Sequence, residues 1–198
     1  MKSNVCKIEK GKKDLKAILE ESERVALCNG FTHKQGLQLR LICEEMDGML
    51  PNIIDDFDGE FWIEYEKGVC KVNASVEFAE FTVEKKKDLI NISKNKKNVA
   101  ARGIVGKIRS ALEDLFLDSG NTQAYGVSQC CYMTAEYVNC LDYTQMWSLE
   151  QYRETIRKEN RSEDWDELEK SIIASLADDV IVGVKGRNAH IIIIKKFA

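Results

Sequence analysis

Apolar residues alternate with polar ones in two different periods along this chain, and the change of period marks the elements. Residues 4–10 alternate weakly, as a short edge strand does. From Asp14 the spacing becomes helical: Leu15, Ile18, Leu19, Ser22, Val25 and Ala26 share one face, and Gly30 supplies a stop. Thr32 then offers an N-cap oxygen to a second helix, built around residues 37–50. That helix can run to about Leu50 before Pro51 forces a break or a last-turn kink, because proline lacks the amide N–H and its ring clashes with the preceding turn. An acidic connector, residues 55–59, leads into a strand at 61–65, a turn at Lys67-Gly68 and an alternating strand at 70–78. The pair reads as a hairpin.

Helical spacing returns with Ile104, Ile108, Leu112 and Leu115, with Asn98 as a cap and the breaker cluster Asp118-Ser119-Gly120 at the end. Residues 121–142 show no period. Two amphipathic helices follow, at about 143–158 and 162–176. In the second, Ser162 is the expected N-cap, Glu163 and Asp164 suit the positive helix end, and Trp165, Leu168, Ile172 and Leu176 form the stripe. A second hairpin closes the chain: 180–184, a turn at 185–188, then His190 and four consecutive isoleucines. Such a run implies a strand covered on both faces. The expected fold is α/β (α+β), a two-layer sandwich with a mixed, mostly antiparallel sheet and helices on one face. It forms a single domain over 1–198, extended by a helical insertion at about 118–177.

Composition adds constraints. The 198 residues, 44% hydrophobic and 31% charged, suit a globular domain, and no apolar run approaches the roughly 18 residues of a membrane span. Residues 1–6 lack the apolar core of a signal peptide, so the expected location is the cytoplasm, with no membrane contact. Seven irregularly spaced cysteines read as reduced core residues rather than a disulfide framework, with a redox or metal feature as the alternative for the adjacent pair Cys130-Cys131. With no Cys-x-x-Cys and only His33 and His190 as histidines, no metal site is expected. Neither a Gly-x-Ser-x-Gly elbow nor a His-Glu-x-x-His helix is present, which argues against a free-standing hydrolase.

Charge is unevenly distributed in a chain of net charge −4. Lys85, Lys86, Lys87, Lys94, Lys96, Lys97, Arg102, Lys107 and Arg109 face Asp88 alone. The stretch reads either as a solvated face that neutralises the acidic connector or as a binder of phosphate or of an acidic partner. It holds no aromatic residues for base stacking, which argues against nucleic acid. On the second helix, Glu45 has Leu41, Ile42, Gly48 and Met49 as helical neighbours, whereas Glu44 has Arg40 one turn behind. A carboxylate in apolar company needs a compensating cation, donor or water. Glu45 is therefore the candidate site residue, either bonded to a cation of the basic stretch or forming the polar wall of a nucleotide-like pocket.

The order helix, helix bearing Glu44-Glu45, hairpin, basic loop, helix, strand, strand resembles the GHKL-type ATPase domain, in particular the anti-sigma-factor serine kinases and histidine-kinase ATPase domains. The likeness spans roughly residues 10–117 and 178–198. It implies ATP with magnesium as the cofactor and Glu45 as the catalytic group at the phosphate. It also implies a lid in which Lys96, Asn98, Gly103, Gly106 and Lys107 hold phosphate oxygens at a helix start. Two departures stand out. Position 49 is Met where the family holds magnesium with Asn, and the Asp-x-Gly-x-Gly adenine loop is missing near 79–82. A P-loop is excluded, since two residues separate Gly103 from Gly106 and Ile108 stands where a hydroxyl belongs. The leading expectation is a regulatory protein with a histidine-kinase-like fold and a degenerate nucleotide site. It would act by contact with a regulatory protein partner through Glu45, the lysine-rich lid and the inserted Trp147 and Tyr152. The alternative is an ATP-dependent serine kinase of the anti-sigma type.

Overall fold

Two-residue alternation sorts the strand side chains between two faces. The computed structural model describes residues 1–11, 15–54, 56–78, 103–120, 145–185 and 187–197. Its strands are β1 (Cys6–Glu9), β2 (Phe57–Glu66), β3 (Val69–Phe78), β4 (Gln145–Ser148), β5 (Asp179–Lys185) and β6 (Asn188–Lys196). They form one sheet in the order β1-β2-β3-β6-β5-β4, and every neighbouring pair is antiparallel. The helices are α1 (Leu15–Cys28), α2 (His33–Ile53), α3 (Gly103–Gly120), α4 (Leu149–Lys158), α5 (Ser162–Glu169) and α6 (Ile172–Leu176). The result is the expected two-layer α+β sandwich.

One large core joins the layers. Phe61 and Ile63 of β2, Val72 and Ala74 of β3, Val180 and Val182 of β5 and Ile191 and Ile193 of β6 meet the buried stripes of all six described helices. The isoleucine run behaves as its composition requires. β6 lies between β3 and β5, Ile191 and Ile193 enter the main core, and Ile192 and Ile194 join Ile181, Val69 and Met146 on the opposite face. Each of the four is at most 5% exposed. Burial of one such side chain contributes about 1.5–3 kcal/mol, so β6 is anchored through both of its faces. The β2–β3 turn falls at Lys67-Gly68, both with positive φ (50° and 83°), the backbone that a two-residue hairpin demands.

Several boundaries depart from the sequence expectation. α2 continues through Pro51 to Ile53. A proline in the last turn removes one ladder bond only, while Ile54 N–H still reaches the Leu50 carbonyl at 3.0 Å and Ile53 and Ile54 are drawn into the core. β2 starts at Phe57, so part of the acidic connector is strand: Phe57 points inward while Asp58 and Glu60 are exposed. Residues 145–148, expected to be helical, are strand β4, paired with β5 from Gln145↔Val184 to Ser148↔Ile181. Ser148 then caps α4, its Oγ accepting from Gln151 N–H. The expected helix at 162–176 is two helices. Arg161, not Ser162, occupies the first N-cap and makes no side-chain cap bond, and Ser171 caps the second helix through Ala174 N–H. The segment beyond α3 thus adds helices to one layer and an edge strand to the other.

Candidate functional site

α2 carries the candidate carboxylate and is held at its start by a complete capping box. Gln35 N–H donates to Thr32 Oγ1 (3.3 Å), and Thr32 N–H donates to Gln35 Oε1 (2.9 Å). Its buried stripe runs Leu39, Ile42, Cys43, Met46, Met49, Leu50 and Ile53. Successive helical residues are about 100° apart, so Glu45 lies at the flank of a stripe centred on Met46. It is half-buried, and it makes no hydrogen bond or ion pair with another described residue. Glu44 lies on the outer side in an ionic chain: Arg40 Nε is 3.2 Å from Glu44, and Arg40 Nη1 is 2.5 Å from Glu23 on α1. Leu37, Leu41, Glu45 and Gly48 share one outward stripe of α2, with Leu37 52% exposed. Met49, four residues beyond Glu45, is 3% exposed within the core.

The residues expected to form a lid separate. Lys96 and Asn98 lie outside the described residues. Gly103 opens α3 with φ +75°, a conformation that a side chain resists, and Gly106 is buried in the next turn. Lys107 is committed to the inserted helices, with its Nζ 3.2 Å from Asp164 of α5 and 5.5 Å from the centre of the Tyr152 ring. Arg161 approaches the same Asp164 at 2.5 Å. Burial pulls the Lys107 pKa down, but the Tyr152 hydroxyl and the Asp164 carboxylate outweigh it and leave the amine above its ordinary value. Asp164 is likewise pushed up by burial, and Lys107 and Arg161 reverse this, holding the carboxyl below the usual range. Arg109, two residues on and therefore about 200° around α3, donates instead to the Asn52 carbonyl of α2 at 3.3 Å. Lys107 is thus turned towards α4 and α5, while the opposite side of α3 meets the helix that bears Glu45.

Trp147 and Tyr152, expected on a contact surface, have ring centres 5.9 Å apart and pack as half-buried side chains against the main core. On the outer sheet face, His190 lies 5.4 Å from the Trp62 ring, and Lys2 stands 4.6 Å over that ring. Burial lowers the His190 pKa to about 4 against the opposing pull of Glu64, so the imidazole is neutral near pH 7. Among the described residues no group of three or more His, Cys, Asp or Glu side chains is placed to hold a metal ion. No described helix is long and apolar enough to cross a membrane. Cys43 and Cys70 are buried free thiols, and burial pushes Cys70 up to about 12 and Cys43 well above its ordinary value.

Two polar features escaped the sequence reading. Asp179, 8% exposed, accepts from Glu150 N–H (2.9 Å), Val180 N–H (2.8 Å) and the Ser148 hydroxyl (3.2 Å), tying β5 to the start of α4. An aspartate directly before an apolar strand was its only signal. The second feature is an open groove of about 490 Å³ lined by Lys7, Glu9, Asp58, Gly59, Glu60, Ser75, Glu77 and Asn188. Strand register aligns Glu9 with Asp58, Asp58 with Glu77 and Glu77 with Asn188. Its charge favours a cation over a phosphate. Comparison of the chain with protein-family models, with curated proteins and with solved structures returned no match.

Proposed function

We propose that this chain is a cytoplasmic regulatory protein with a histidine-kinase-like ATPase fold whose nucleotide site is degenerate, and that it acts by contact with a protein partner. The observation that carries this reading is Met49. On the helix where the GHKL likeness implies a magnesium-holding side chain four residues beyond Glu45, this chain buries a thioether in its core. Phosphoryl transfer depends on a positioned metal and positioned phosphates, and α2 supplies no metal ligand at that place. The order α1, α2 with Glu44-Glu45, the β2–β3 hairpin, α3 and the β5–β6 hairpin supports the ancestry. Lys107 supports the degeneracy, because the lid amine is paired with Asp164. The outward stripe of α2, with exposed Leu37 and with Glu45, which has no partner among the described residues, supports action through contact.

Thermal unfolding with and without ATP and magnesium tests the nucleotide half of the reading. A working site at 100 times its Kd adds about 2.7 kcal/mol, which for a chain of this size raises Tm by about 5–11 °C. The expected shift is nil at millimolar nucleotide. A shift of several degrees would overturn the degeneracy and favour the serine-kinase alternative. For the contact half, co-purification from the native cell is compared between wild type and a Leu37→Glu, Glu45→Lys variant of unchanged Tm. A partner retained by both would exclude this stripe.

A further inference from the structure

We draw no further inference here: the strongest candidate, the open acidic groove between β1, β2 and β3 lined by Glu9, Asp58, Glu60 and Glu77, is a cluster of carboxylates with nothing among the described residues to show what occupies it.

Discussion

Asp179 is the side chain whose removal discriminates most sharply between two accounts of how the C-terminal half is held. Its Oδ1 takes the N–H groups of Glu150 and Val180, and both carboxylate oxygens lie 3.2 Å from Ser148 Oγ. Asp179→Ala deletes the acceptor and strands these donors in a site where Asp179 is 8% exposed. A buried donor left unmatched costs about 1–3 kcal/mol. Removing a desolvated charge and admitting water both offset part of the total. The expected loss is about 2–4 kcal/mol, equivalent to a Tm lower by about 4–16 °C. Asp179→Asn keeps one oxygen for both backbone donors and discards the buried charge, so it is expected within about 1 kcal/mol of wild type. Urea unfolding of the three proteins, with m values compared, measures both differences. Equal destabilisation by Ala and Asn would show that charge, not acceptor geometry, is the stabilising term, and a neutral Ala variant would refute the account altogether.

The same pair gives a pH test with a defined sign. Burial raises the Asp179 pKa against the opposing bonds from Glu150, Val180 and Ser148. An unfolded aspartate titrates near about 3.9. Between that value and the higher folded one, the native state holds more protons than the unfolded state. Stability from this group therefore falls as pH rises through the window and is constant above it. Wild type should lose ground to Asp179→Asn as pH increases across that window. A wild type that instead gains ground would reverse the assigned direction.

Gly59→Ala should destabilise by about 1–3 kcal/mol in urea unfolding, because a Cβ there would lie 2.4 Å from the Ser75 carbonyl oxygen and 2.7 Å from Val76 Cγ1, forcing β2 and β3 apart. A neutral variant would mean that the two strands yield freely. Met49→Asn, which restores the residue type that the GHKL likeness implies, should cost about 2–4 kcal/mol as an amide enters the core and should produce no Tm response to ATP with magnesium. A nucleotide-dependent shift in that variant would show that the rest of the site is intact. Peptide mapping after brief treatment with a thiol reagent should find exposed Cys28 labelled, and Cys43 and Cys70 labelled only after unfolding, since burial keeps both protonated. Native labelling of Cys70 would contradict its placement in β3.

The parts of the fold that were legible beforehand are those specified by local period. Leu15 to Ala26 and the α2 stripe repeat every three or four residues, and both formed helices. The β2–β3 and β5–β6 hairpins followed from alternation and turn residues, and the isoleucine run marked an interior strand. Residues 145–148 were misread because a tetrapeptide is too short to show a period. Gln145 to Ser148 became strand through pairing with β5 some 35 residues away in sequence, and Ser148 became a cap once that strand had ended. Pro51 allowed either a break or a last-turn kink, and α2 carries it within its last turn, where the burial of Ile53 and Ile54 outweighs the loss of one bond.

For the candidate site the division is sharper. Local spacing was sufficient to pair Glu44 with Arg40, but it set Glu45 wholly among apolar neighbours, whereas the structure leaves Glu45 half-buried at the margin of the stripe with Gly48 exposed. Spacing was not sufficient to say that Lys107 turns to Asp164 on α5 while Arg109 turns to α2, or that Glu9, Asp58 and Glu77 align across three strands. Period and capping depend on residues within about one or two turns of each other and are therefore written in the order of the chain. Partners 20 to 60 residues apart are selected by how the helices seat on the sheet, where burying Ile108 and Leu112 decides which way every other side chain of α3 must face.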